Sequence, residues 1–234
     1  MQSRAHEVWA RFLASSMKDD MRYTASDCFE TFPSLTEFET NAALEAAGRE
    51  YYEFRAALMQ DLWLGLTDVY NLFHSPDDEA LARLEALYRK RAANSDWRTA
   101  EGVPADCSPL KAYATPAAAL AGVQRLRELH AAMDIAVITA YGWNDLLPKC
   151  TCEFLLDYEE DESESGAEES TGRKKKKPWR YRWPDDVRDE VLARLLALNA
   201  LRAEEERLAG AAKPQTATPK RKRGKASAPG GLFD

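Results

Sequence analysis

Between Thr36 and Tyr141 apolar residues return at three- and four-residue intervals, a period that a helix presents as one face. Leu44, Tyr51, Tyr52, Leu58, Leu62, Leu66, Val69 and Phe73 mark the first stretch, which Gly48 or Gly65 divides or bends and which His74-Ser75-Pro76 stops. Thr36 followed by Glu39 has the spacing of a capping box. A stretch of this length is long for one globular helix, so it reads as two helices or a protruding hairpin arm. Asp77 and Asp78 open a further helix with Leu81, Leu84, Leu87 and Tyr88 on its apolar face. Asn94–Pro116 is loop-rich, with room for a short helix, and Ala117–Tyr141 is a strong helix closed by Gly142 at a C′ position.

Outside this block the pattern changes. Residues 3–17 form an amphipathic helix with Val8, Phe12 and Leu13 at helical spacing beside Trp9. Met21–Leu35 mixes Tyr23, Phe29 and Phe32 with Thr, Ser, Asp and Pro, which suits a short strand or a packed loop. Cys152–Tyr158 reads as a short strand. Pro184 starts a last long helix to about Leu208, with Val187, Val191, Leu195 and Leu198 as its stripe, widened by Leu192 and Leu196. The expected fold is therefore mainly α: a helical arm or bundle with one or two short strands.

Two segments lack the apolar residues that a core requires. The acidic run beginning at Glu159 and the Pro-, Lys- and Ala-rich tail from Ala211 are expected to be disordered and to be cut first by proteases. They divide the chain into residues 1–35, a helical region 36–158, a linker 159–178, a C-terminal helix 179–210 and a basic tail 211–234.

The formal net charge of −7 argues against a general polyanion binder, although the charge is segregated. Four cysteines without a C-x-x-C pair fit reduced thiols, and Cys150-x-Cys152 lacks zinc spacing. There is no signal-peptide pattern and no apolar run long enough for a membrane span, so a cytoplasmic location is expected. The chain has no glycine-rich nucleotide loop, no nucleophile elbow, no H-E-x-x-H and no N-P-P-[FYW] motif. No catalytic, cofactor-binding or metal residue is expected in it.

The candidate residues are therefore those suited to nucleic acid. Arg22 and Tyr23 are placed to touch a phosphate or base edge, although Arg22 pairing with Asp19 or Glu30 is an equal alternative. Lys174, Lys175, Lys176, Lys177 and Arg180 interleave with Trp179, Tyr181 and Trp183, a pattern that neutralises phosphate and offers stacking surfaces. The competing readings are a solvated run screened by the preceding acidic segment, and aromatics that seat the last helix. Lys220, Arg221, Lys222 and Arg223 in the tail suit sequence-independent DNA contact or simple solubilisation. His6 with Trp9 reads most simply as core packing, with proximity to DNA as the alternative, and His130, Met133 and Ile138 are most simply core or helix-facing residues. Glu128, Asp134 and Asp145 are not spaced as a catalytic carboxylate pair.

The string HEVWARFLASSMKDDMRYTASDCFETFP, with H-x-x-W, then R-Y, then F-P, resembles the end of the target-recognition domain of large fused adenine-N6 DNA methyltransferases from restriction-modification and phage-defence systems. That family's F-P-[FW]-P reads Phe32-Pro33-Ser34-Leu35 here. Downstream, Asp68–His74, RLRELHAAMDIAVITAYGWNDL, CEFLLDYEE and KPWRYRWPDDVRDEVLARLLALNALRAEEE resemble, in that order, the C-terminal extensions of the same proteins. The resemblance covers most of residues 2–208. It implies the detached C-terminal part of a base-flipping enzyme that takes its methyl group from S-adenosylmethionine in an upstream domain. Double-stranded DNA would be its partner, together with that upstream domain or a separately encoded half. The rival readings are a stand-alone helical adaptor and, with no P-D…[DE]-x-K arrangement to support it, a nuclease subunit.

Overall fold

The computed structural model describes residues 2–17, 20–36, 38–156 and 178–212, without the side chains of 15–17, 20–22, 211 and 212. The expected linker up to residue 177 and the tail from residue 213 lie outside the described residues, and so do Lys174, Lys175, Lys176, Lys177, Lys220, Arg221, Lys222 and Arg223.

The chain is mainly helical. Helix α1 spans Arg4–Leu13, and the strands β1 (Ser15–Met17) and β2 (Asp20–Arg22) pair antiparallel after it, followed by a π-helical turn at Ala25–Phe29. Next come α2 (Ala42–Leu62), α3 (Leu66–Phe73), α4 (Asp77–Ala93), the single turn α5 (Trp97–Ala100) and α6 (Pro116–Ala140). Strands β3 (Glu153–Leu156) and β4 (Trp179–Arg182) form a second antiparallel pair, with Phe154 opposite Tyr181. Helix α7 runs from Asp185 to Ala212.

Local chemistry sets the boundaries. Asn41 caps α2 by accepting from the Ala43 and Leu44 N–H groups at 3.1 and 3.2 Å. The expected cap at Thr36 is not used; a 3₁₀ turn at Phe38–Thr40 comes before the helix instead. Gly48 does not divide α2. The break comes at Trp63, which takes a left-handed conformation (φ 49°) so that the Leu64 N–H reaches the Met59 carbonyl at 3.0 Å, and Gly65 precedes α3. Pro116 opens α6 behind the Thr115 cap. Gly142 (φ 75°) closes it: its own N–H reaches Thr139 O, and the Trp143 N–H reaches Ile138 O at 3.1 Å.

Two apolar clusters share α6 as a spine. Toward its N-terminal end Ala119, Val123, Leu126, Leu129 and Met133 pack with Tyr51, Leu58 and Leu62 of α2, Val69, Leu72 and Phe73 of α3, and Leu84 of α4. Thus α2 belongs to the bundle and is not a protruding arm. At the other end Ile138 joins Ala5 and Trp9 of α1, Leu146, Trp183 and Val187, Val191 and Leu195 of α7. Two expectations change here. The buried face of α1 is Ala5, His6, Trp9 and Ala10, which leaves Phe12 exposed, and the C-terminal unit does not begin as helix, since residues 179–182 pair as a strand.

Candidate nucleic-acid interface

The sequence Trp179-Arg180-Tyr181-Arg182 alternates aromatic and cationic residues, and an extended strand sends alternate side chains to opposite faces. Tyr181 turns inward. Its ring lies 4.9 Å from that of Phe154 on β3 and 5.8 Å from Phe73 on α3. Its backbone is held on the side away from β3, where the Tyr181 N–H donates to His74 Nδ1 at 3.1 Å and the Tyr181 carbonyl accepts from Arg4 Nη2 at 3.2 Å. Trp179 donates its indole N–H to Glu79 Oε1 at 3.1 Å, which ties the start of the strand to α4. Trp183 is buried among Trp9, Val187 and Val191. The aromatics therefore act as anchors that seat β4 and α7, and Arg180 lies among them.

Arg127 fixes the ground beneath this strand. It is buried, and donates to the carbonyls of Phe73 (2.9 Å), Leu72 (3.1 Å) and Ser75 (2.7 Å) at the C-terminus of α3, of which Leu72 also accepts from the Ser75 N–H at 3.2 Å. A fourth bond goes to Asp77 Oδ1. The guanidinium lies over the Phe154 and Tyr181 rings at 4.9 and 5.4 Å.

Behind the strand lies a buried polar junction. Asp134 accepts from the Arg4 backbone N–H at 2.8 Å and from Arg4 Nη1 at 2.5 Å, and its Oδ2 lies 3.1 Å from His130 Nδ1. Burial alone would raise the Asp134 carboxyl; the neighbouring His130 and Arg4 outweigh it and hold the group below the usual carboxylate range. With Asp134, His130 and Arg4 all buried, this His–carboxylate pair has no solvent face on which to activate a substrate. It joins α1, α6 and β4. Cys152 stands beside it, its thiol pushed up to about 12 by burial, which leaves it unreactive at neutral pH. Among the described residues no group of three His, Cys, Asp or Glu side chains is arranged to hold a metal. Among the described residues no helix is long and apolar enough to cross a membrane.

On the solvent side of β4 is a cleft of about 280 Å³, lined by Asn71 and His74 at the end of α3, Glu79 and Arg83 of α4, and Trp179 and Arg180. Because His74 Nδ1 accepts from Tyr181, its ring proton resides on Nε2. Burial, then the charge of Arg180, lowers His74 to about 4. The ring is neutral at physiological pH, and its Nε2 is an N–H donor.

The sequence-predicted residues are thus dispersed. Arg22 occupies β2 opposite Ser15. Tyr23 follows with an exposed ring, its hydroxyl 3.1 Å from His6 Nε2. Arg180 stands on the other ladder. Sequence reasoning missed Asn71, His74 and Arg83. The Asn-Leu-Phe-His-Ser-Pro run does place His74 at a helix end, where a ring can reach a neighbouring backbone. Nothing local distinguishes Arg83 from any other helical cation.

No family model, curated protein or solved structure matches the chain.

Proposed function

We propose that this chain is the C-terminal recognition and spacer portion of a site-specific adenine-N6 DNA methyltransferase. It contacts duplex DNA, while an upstream S-adenosylmethionine-dependent domain performs base flipping and methyl transfer. The observation that carries the reading is the seating of β4. Its aromatics are spent on packing, and the strand begins at Trp179, one residue after the Lys174–Lys177 run in sequence, beside a cleft lined by Arg83 and Arg180. The described strand holds Arg180 beside Arg83 at one edge of the helical body, and in sequence the lysine run precedes it, a combination suited to backbone contact with DNA. The chain's buried His–carboxylate pair serves as a structural joint in this reading, so chemistry is left to the upstream domain.

The test is fluorescence anisotropy of the full chain with two unrelated duplexes at several salt concentrations. The expected affinity is about 10⁻⁴ to 10⁻⁶ M for both, falling steeply with salt. Replacing Lys220, Arg221, Lys222 and Arg223 by Ala should weaken both equally. Calorimetry with S-adenosylmethionine should give no saturable heat. Saturable micromolar cofactor binding, or no duplex binding at low salt, overturns the reading.

A second reading, a helical adaptor, is favoured by one observation: residues 203–210 of α7 are exposed throughout, and Leu201 and Leu208 are more than half exposed. A helix end that packs on none of the other described residues suits a protein partner. Discrimination lies in the same titration, because an adaptor has no reason to bind duplex with a steep salt dependence.

A further inference from the structure

Three donor-bearing side chains around the cleft beside β4 are not spent on the fold. His74 Nε2–H has no acceptor among the described residues, because the ring's hydrogen bond is made through Nδ1. Arg83 is exposed and forms no ion pair or hydrogen bond among them, although acidic residues are abundant on α4. The Asn71 side-chain amide is exposed and likewise makes no hydrogen bond; only its backbone carbonyl accepts, from Ser75 Oγ at 2.7 Å. Arg180 adds a second guanidinium. Glu79 is the opposing charge, and one of its oxygens is engaged by the Trp179 indole. The Arg83 guanidinium, a neutral imidazole N–H and an amide are thus the donors left at the cleft by the fold.

We propose that this cleft is a phosphate-binding subsite, in which His74 Nε2–H and the Arg83 guanidinium donate to one phosphate group. The proposal rests on the DNA-contacting reading for the source of that phosphate, a backbone phosphodiester of duplex DNA. The parts are differently suited to the task. His74 is fixed by the Tyr181 N–H on one side and packed edge-on against Phe73 at 5.1 Å, so its donor direction is set before a ligand arrives. A neutral donor also incurs less desolvation than a charged one. Arg83, on an exposed turn of α4, can follow the phosphate with a forked pair of N–H groups. Because His74 stays neutral down to about pH 4, its donor persists throughout the physiological range.

Arg83→Ala tests this without disturbing the core, and Arg89→Ala, an exposed cation on another face of the same helix, controls for general charge. The expected result is a roughly three- to ten-fold loss of duplex affinity for Arg83→Ala, with the salt slope reduced by about one, and little change for Arg89→Ala. A second readout is long-range ¹H–¹⁵N NMR of the three histidines. His74 should show a protonated Nε2 in the free chain, and duplex should shift that resonance while His130 stays fixed. Duplex binding undiminished in Arg83→Ala, or weakened equally in both variants, overturns the subsite and leaves the DNA-contacting reading standing. A chain that binds no duplex but shows the His74 shift with a nucleoside 5′-monophosphate keeps the phosphate subsite and loses the DNA reading. If neither duplex, mononucleotide nor inorganic phosphate moves His74, the subsite is refuted.

Discussion

Arg91 and Arg127 sit where helices leave carbonyls without partners, and their burial follows from that. Arg91 donates to Leu62 O and Trp63 O at the end of α2 and to Glu101 Oε2, and its guanidinium lies 4.4 Å from the Trp97 ring centroid. Arg127 does the same for α3. An unmet buried carbonyl costs about 1–3 kcal/mol, and Arg127→Ala strands two of them, those of Phe73 and Ser75, while Leu72 O keeps the Ser75 N–H. A loss of at least about 2 kcal/mol is expected from urea unfolding monitored by circular dichroism. Arg127→Lys should not restore it, because an ammonium lacks the planar fork that reaches three carbonyls and a carboxylate together. Equal stability of the two variants and the native chain would remove the capping account. The histidines give a second prediction at this scale. Burial lowers both His6 and His74 to about 4, below the ordinary value of 6.5. Between those values the unfolded chain binds more protons than the folded one, so stability is fully present above pH 6.5 and declines as pH falls toward 4. The urea midpoint should therefore drop from pH 7 to pH 5, and His6→Phe should flatten part of the slope. A midpoint constant across that range would show that these rings are not held neutral.

Elements were legible where the signal is local. The stripe of α7 delivered Val187, Val191 and Leu195 to the core, and Pro116 and Gly142 bracket α6 as their chemistry dictates. The pairing of β3 with β4 was not legible, since the two strands are separated in sequence by a charged run and each is too short to show alternation. The rotation of α1 was missed because small residues, Ala5 and Ala10, take the tight contacts and leave Phe12 outside. For the cleft, the sequence supplied Arg180 but not Asn71, His74 or Arg83, because their convergence depends on how α3, α4 and β4 meet. Two glycines show how context decides sign within one kind of element. Gly48 lies within α2, and nothing stands within 4 Å of where a Cβ would be, so Gly48→Ala should stabilise by about 0.5–1 kcal/mol. Gly122 lies in α6 where a Cβ would stand 2.8 Å from Leu58 Cδ1 and from Tyr113 Cε1. The overpacking there costs about 1–3 kcal/mol, more than the helix gains, so Gly122→Ala should be destabilising. Thermal melts of the two variants check this, and a shared sign would contradict the packing argument.

At the scale of the whole molecule the two apolar clusters are joined by one rod. Helix α6 gives Leu126, Leu129 and Met133 to the first and Ile138 to the second, and between them Asp134 is bonded to the first residue of α1. Neither cluster can open without exposing part of α6. Losing α1 and α7 would also leave Asp134 as a charge without its arginine, which for a buried pair costs about 3–5 kcal/mol. The expectation is a single cooperative unfolding transition. Tryptophan fluorescence, weighted toward the second cluster by the buried Trp9 and Trp183, should coincide with far-ultraviolet circular dichroism, which reports all the helices. Leu195→Ala, at a fully buried site on α7, should lower both curves together by about 2–5 kcal/mol, just as Leu58→Ala should from within the first cluster. Fluorescence melting ahead of circular dichroism in Leu195→Ala would mean that the second cluster unfolds alone, and that the Arg4–Asp134 joint does not hold the two halves of α6 in one cooperative unit.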